Sequence, residues 1–132
     1  MSTQIPPTAY DLFDGKNIAH LATVSTKGVP IVNPVWIDRD GNRILVNSAK
    51  GRVKNRNMKK GAHVALSILD PANPYRYFSA QGVVVEVRTD GADEHADKLS
   101  QKYLNKPKYP FRQPGEVREL FIIEPTRVKL QG

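Results

Sequence analysis

Apolar and polar residues alternate over short runs along most of the chain, the period that sends every second side chain to one face of a β-strand. Ile18 to Val24 reads as a strand, Thr26-Lys27-Gly28 as a tight turn, and Val29 to Ile37 as the second arm of a hairpin. Pro30 and Pro34 lack ladder N–H donors, so that arm belongs at a sheet edge or is locally bent, leaving backbone groups free for a ligand. Arg39-Asp40-Gly41-Asn42 forms a second turn, and Arg43 to Asn47 a third strand with Ile44 and Val46 on one face. His63 to Leu69 puts Val64, Leu66 and Ile68 together. After the loop Asp70-Pro71-Ala72-Asn73-Pro74, a long strand from Tyr75 to Thr89 alternates Val83, Val85 and Val87 against Val84, Glu86 and Arg88, with Gly82 marking a bulge. Leu120 to Ile123 closes the sheet.

A helical period occurs in three places. Pro7 to Phe13 makes a short opening helix, with Thr8 as its cap and Asp11 at capping-box spacing. Arg52 to Lys60 places Val53 and Asn57 one turn apart on an inward face, spreads Arg52, Arg56, Lys59 and Lys60 outward, and stops at Gly61. Asp93 to Leu104 is amphipathic through Ala96, Leu99, Tyr103 and Leu104, and a Pro-rich loop follows from Pro107 to Gly115. Six strands joined mainly by hairpins, in a chain too small for a sandwich with separate helical layers, predict a mainly-β (α+β) fold. Its expected form is a six-stranded antiparallel barrel with peripheral helices. The 132 residues, 39% of them hydrophobic, suit one domain over residues 1–132 with a core that needs no metal or disulfide staple.

Composition narrows the chemistry. The absence of cysteine excludes a disulfide scaffold, thiolate-held zinc, iron–sulfur clusters and thiol nucleophiles, and suits a reducing cytoplasm. The opening Met-Ser-Thr-Gln-Ile-Pro-Pro has neither a basic nor an apolar signal region, and no apolar run approaches the roughly 18 residues of a membrane span. A soluble, cytoplasmic protein is expected. The net charge of +7 points to an anionic partner, and six cations within the eleven residues from Lys50 to Lys60, with no acid among them, carry almost all of it.

Catalytic motifs are missing. His20, His63 and His95 are scattered without metal-ligand spacing, so no metal is expected, and His20 and His63 read as half-buried strand residues. No serine sits in a nucleophile elbow, and neither Gly-x-Gly-x-x-Gly nor a P-loop occurs. No catalytic side chain is assigned, and redox chemistry would require a cofactor bound in another way.

The feature with most chemistry is Ser48-Ala49-Lys50-Gly51-Arg52-Val53-Lys54-Asn55-Arg56-Asn57, which runs from a strand through a glycine into a helix. Unpaired N–H groups at a helix start, flanked by Arg and Lys, form a phosphate cradle. The same charges would equally serve a solvated helix face. Asn57 favours the cradle, since a polar side chain on an inward face needs a partner.

With Ala22-Thr23-Val24, Gly28-Val29-Pro30 and Asn33-Pro34-Val35-Trp36 preceding Gly51-Arg52-Val53-Lys54-Asn55-Arg56-Asn57-Met58, the chain resembles the pyridoxamine-phosphate-oxidase-like split barrels along nearly its whole length. Asn73-Pro74-Tyr75-Arg76-Tyr77, and Lys102-Tyr103-Leu104 before Tyr109-Pro110-Phe111, make it most similar to the short deazaflavin-dependent reductases of that superfamily. The resemblance implies a homodimer with two cofactor sites at the subunit interface. It implies that Arg52, Lys54 and Asn57 hold the phosphate of FMN or of the deazaflavin coenzyme F-420, with Asn47 and Ser48 nearby. The cofactor ring would lie along Asn33, Pro34, Val35 and Trp36, and Tyr75 and Tyr77 match positions that commonly come from the other subunit, although barrel or interface packing accounts for them as well. Two departures stand out: Gln81 replaces an Arg of many relatives, and the chain ends at Lys129-Leu130-Gln131-Gly132 without the longer C-terminal region of true pyridoxamine phosphate oxidases. Oxidation of vitamin B6 is therefore not expected.

The expected function is hydride transfer from reduced coenzyme F-420 to an unsaturated or conjugated organic acceptor, with Lys50, Arg56 and Lys59 available to the anionic tail of the coenzyme. An FMN-binding oxidoreductase using the same cradle is the alternative. A nucleic-acid-binding small barrel is disfavoured, because only 8% of residues are aromatic and the charge gathers on one helix instead of interleaving with aromatic residues along a strand face.

Overall fold

The alternating runs become seven strands among the described residues, 2–132 of a computed structural model. They are β1 (Ile18–Val24), β2 (Pro30–Trp36), β3 (Asp38–Asp40), β4 (Arg43–Ala49), β5 (His63–Leu69), β6 (Tyr77–Arg88) and β7 (Arg118–Gln131). A 3-10 turn at Pro7–Ala9 leads into α1 (Tyr10–Asp14), while α2 (Val53–Asn57) follows β4 and α3 (Ala92–Leu104) follows β6. All strand pairs are antiparallel, in the order β2-β1-β5-β6-β7-β4-β3.

That order contains a geometric demand. β2 and β3 are the two edges of the sheet, yet one residue, Ile37, joins them. Trp36 and Asp38 are two Cα steps apart, about 7 Å at most, whereas the edges of a flat seven-stranded sheet stand six spacings of roughly 4.8 Å apart, so a flat sheet could not satisfy the connection. The sheet curls until its edges meet, giving a split antiparallel barrel. Its interior is packed by Leu21, Val46, Leu66, Ile68, Phe78, Val84, Phe121 and Ile123, with Ile5, Leu12 and Phe13 of the N-terminal segment buried in the same core. Phe13 meets Phe78 edge-on at 5.1 Å. Arg76, held within the β5–β6 turn by Asp70 at 3.0 Å, ties that turn to the N-terminal segment through Asp11 at 2.9 Å and the Thr8 carbonyl at 2.7 Å.

A corner residue cannot use the ladder for its backbone groups, and α3 supplies the substitutes. The Ile37 N–H donates to the Tyr103 hydroxyl at 3.0 Å, and its carbonyl accepts from Lys102 Nζ at 2.8 Å. Tyr103 donates in turn to the Asn17 carbonyl at 2.5 Å, and Lys102 also reaches the Phe13 carbonyl. Burial lowers the Lys102 pKa, opposed by the charges of Asp38 and Asp14, and burial raises that of the Tyr103 phenol.

The hairpin at Gly28 and the bulge at Gly82 form as expected. The register slips between Gln81 and Gly82, where an added Cβ would lie 2.7 Å from Ile123 Cγ2 and 2.8 Å from the Glu124 carbonyl oxygen. Four expectations change. The strand count is seven, because Asp38–Asp40, read largely as turn, pairs with Arg43–Leu45 as β3. β7 extends from Arg118 to Gln131, far beyond Leu120–Ile123, and carries Pro125 at the slip opposite Gly82. α2 ends at Asn57 instead of Lys60: Met58 turns into the core, and the Gly61 N–H bonds the Val84 carbonyl at 2.7 Å. Thr8 caps nothing, since the opening turn starts after Pro6 without a side-chain cap. No helix among the described residues is long and apolar enough to cross a membrane.

The corner can be tested directly. Tyr103→Phe leaves the ring against Trp36 but strands the Ile37 N–H and the Asn17 carbonyl, so urea unfolding should show a loss of about 1–3 kcal/mol. An unchanged unfolding midpoint would mean that the corner does not depend on the hydroxyl.

Candidate functional site

Where the barrel splits, a cleft of about 350 Å³ opens. One wall is the end of β2, Pro34, Val35 and Trp36, on an edge strand that tolerates Pro30 and Pro34. Asn47 and Ser48 of β4 and Arg118 at the head of β7 face it. Arg52 and Lys54 enter from the start of α2, Ala96 and Leu99 from α3, and Tyr109 and Phe111 from the Pro-rich loop. Trp36 is held by the Tyr103 ring, stacked at 5.0 Å and 4°, with Tyr109 edge-on at 6.1 Å and Phe111 edge-on to Tyr109 at 5.8 Å.

The polar end of the cleft is electrostatically incomplete. Among the described residues, neither Arg52 nor Lys54 has a carboxylate within ion-pair distance, and Arg118 has only Glu116, at 3.3 Å. Burial lowers the Lys54 pKa from its ordinary 10.5, and the positive charges of Arg52 and Arg118 lower it further. Beside them Ser48 is 1% exposed, and its hydroxyl has no protein partner among the described residues. A buried hydroxyl and three crowded cations fit an anion with several acceptor oxygens, and a phosphate is such a group. The fit comes from side chains, because α2, at five residues, is too short to add much of a helix dipole.

A hydrogen-bonded chain stands behind this end. Arg118 Nε donates to Asn47 Oδ1 at 2.8 Å, and its guanidinium lies 4.8 Å above the Tyr109 ring. Asn47 Nδ2 donates to the Ala92 carbonyl at 2.8 Å and lies 3.2 Å from His95 Nδ1, while His95 Nε2 is 2.9 Å from Asp38 Oδ2. Burial would raise the Asp38 pKa, but the His95 hydrogen bond, the Arg39 N–H at 2.9 Å and Lys98 outweigh it and hold the pKa at about 2.

Of the residues singled out from the sequence, the cleft gathers Pro34, Val35, Trp36, Asn47, Ser48, Arg52 and Lys54. Within one chain it does not gather the other five. Asn33 is half-buried on β2 opposite Leu21, and Lys50 lines a separate groove with Arg56, Lys59 and Lys60. Asn57 donates to Thr23 Oγ1 at 3.1 Å, so it finds a partner, but it does not share a buried face with Val53, which is exposed. The buried residue of α2 is Asn55, whose Nδ2 donates to the Ser48 carbonyl at 3.2 Å and to Glu119 at 2.9 Å. Tyr75 is 81% exposed, and Tyr77 lies on β6 with Lys129 5.8 Å from its ring centre. Sequence reasoning missed Arg118, whose only signal was an arginine two residues before an apolar run, and gave Tyr109 and Phe111 no role in the site.

The model of the pyridoxamine 5'-phosphate oxidase family matches residues 5–132. The chain belongs to this family. Its fold superposes on a solved F420 reductase with a TM-score of 0.81 and 31% identity, covering 95% of this chain and 98% of the other. HupZ of Group A Streptococcus shares the fold at a TM-score of 0.70 and 21% identity, covering 96% and 94% of the two chains. A putative pyridoxamine 5'-phosphate oxidase of Lactobacillus delbrueckii does so at 0.66 and 22%, covering 96% and 93%. No curated protein sequence matches the chain at a significant level. Members of this oxidase family are expected to hold a flavin-type cofactor, and the donors of the cleft suit the phosphate of one.

The crowded cations set function against stability. A lysine whose folded pKa is lowered destabilises the fold while it is charged, and the penalty fades as pH rises through the folded pKa towards 10.5. Lys54→Met should therefore raise the melting temperature of the ligand-free protein at neutral pH and weaken binding of a phosphate-bearing cofactor about tenfold or more. Lys60→Ala, whose side chain does not line the cleft, should change the affinity little. Equal losses of affinity in the two variants would show general electrostatics instead of a cradle.

Proposed function

We propose that this protein is a cytoplasmic, homodimeric oxidoreductase that seats coenzyme F-420 in the cleft and passes a hydride from its reduced form to an unsaturated or conjugated organic acceptor. The observation that carries the reading is the cluster of Arg52, Lys54 and Arg118 beside the unpartnered Ser48 hydroxyl, joined to an aromatic and proline-lined wall. Bound there, a reduced deazaflavin supplies the hydride. The chain's own residues supply place and shelter: Arg52, Lys54 and Ser48 hold the phosphate, and Pro34, Val35 and Trp36 offer a flat apolar surface for the ring. Tyr109 and Phe111 limit water over the cleft. The 31% identity to a solved F420 reductase supports this assignment.

FMN is the alternative occupant, since its phosphate would use the same groups. The charge outside the cleft separates the two. Lys50, Arg56, Lys59 and Lys60 line a second groove, with Glu86 and Glu119 also in its wall; FMN ends at its phosphate and leaves these cations unused, whereas the longer coenzyme carries further carboxylates that they would attract. A dimer is supported by the outer face of the sheet, where Val24, Val32 and Leu69 stand exposed, and by the exposed Tyr75 in the β5–β6 turn beside it; a partner's Tyr75 and Tyr77 could complete a site there.

Competitive fluorescence titration of the cofactor-free protein should show coenzyme F-420 bound more tightly than FMN. The gap should narrow at high salt, since exposed charge pairs contribute only about 0–1 kcal/mol each and are screened. Sedimentation of the loaded sample should give twice the chain mass. Tighter FMN binding at low salt would replace the deazaflavin reading, and a monomer loaded to full stoichiometry would remove the shared site.

A further inference from the structure

His95 lies behind the cleft, 9% exposed, and does not itself line it. Its surroundings nevertheless fix its protonation by elimination. Ala92 offers Asn47 a carbonyl, which only accepts, and Arg118 Nε–H only donates. The two together orient the Asn47 amide, with Nδ2 towards Ala92 and Oδ1 towards Arg118. The same Nδ2 lies 3.2 Å from His95 Nδ1, so that ring nitrogen must accept. The ring proton is then on Nε2, donated to Asp38 Oδ2 at 2.9 Å.

We propose that His95 is a positioning residue: as the neutral Nε2–H tautomer it locks the Asn47 amide, and through it the Arg118 guanidinium, in the orientation presented to the cleft. The inference rests on reading that cleft as a cofactor seat. Arg118 also donates from Nη1 to Glu116 at 3.3 Å, while Nη2 has no protein acceptor among the described residues and is available to a ligand. Protonation of His95 places an N–H on Nδ1 against the Asn47 Nδ2. The amide can answer only by turning over, which sets Oδ1 against the Ala92 carbonyl and Nδ2 against Arg118 Nε–H. One hydrogen bond is regained and two are lost, so Arg118 is released. The charged groups around the ring are Asp38 from β3, Lys98 from α3 at 3.2 Å from Asp38, and Arg118 with its partner Glu116 from the β7 side beyond Asn47. Lys102 of α3 lies within the field of Asp38.

The relay can be read without ligand by long-range 1H–15N correlation of the histidine rings, His95 being assigned by its loss in a variant. At pH 8 the ring should carry its proton on Nε2, and on acidification the Arg118 Nε–H resonance should move with the same midpoint as His95. His95→Asn places a carbonyl oxygen where Nδ1 was; it should keep the Arg118 resonance near its wild-type position and remove its pH dependence. His95→Gln, whose polar end lies nearer the Nε2 position, should shift the resonance at every pH and weaken binding of coenzyme F-420 about tenfold, the loss of one charge-assisted contact. An Nδ1–H tautomer, or an Arg118 signal indifferent to the His95 titration, would overturn the proposal in the wild-type protein alone. If the relay signals appear and neither coenzyme F-420 nor FMN binds, the cofactor reading fails and the relay of bonds stands.

Discussion

A single residue between two edge strands governs the architecture. With only Ile37 between β2 and β3, the sheet has to close, and closure brings the free edge of β2 to face β4. The cleft is the part of that seam where no ladder forms, so its position follows from the connection. The cost is a pair of backbone groups removed from the sheet, and Tyr103 and Lys102 of α3 satisfy them. The same tyrosine stacks on Trp36, so the side chain that secures the corner also sets the angle of the cleft's aromatic wall.

Charge decides what the cleft can hold. Arg52 and Lys54 stand here with no carboxylate within ion-pair distance, and burial first, then the charges of Arg52 and Arg118, lower the Lys54 pKa in the ligand-free fold. A fold that keeps such an arrangement is ready for an anion. The Arg118 guanidinium is positioned differently from the other two, through Asn47 and His95 to the buried carboxylate of Asp38, a chain that crosses four elements of the barrel.

How much of this was legible follows from where side chains alternate. β1 and β5 have the bounds read from sequence because each alternates cleanly and is bounded by turn residues. β3 has no apolar residue at all; Asp38-Arg39-Asp40 is a strand because β4 pairs with it, and Asp38 is tolerated inside because His95 meets it. β7 was cut short at Glu124-Pro125, where the pattern breaks but the pairing continues past a bulge. In α2 the helix is too short for periodicity to decide its face, and the buried position fell to Asn55. The basic segment and the Asn-Pro-Val-Trp wall were readable from order and spacing. Arg118, Tyr109 and Phe111 were not, because they join the cleft only when distant pieces of chain are folded against it.

The central claim is that the split of the barrel seats a phosphate-bearing flavin-type cofactor. A crystal structure of the protein loaded with coenzyme F-420 tests it most directly. The account predicts the phosphate among Ser48, Arg52 and Lys54, with the ring against Pro34, Val35 and Trp36. A phosphate settled instead in the groove of Lys50, Lys59 and Lys60, with the ring away from Trp36, would contradict it.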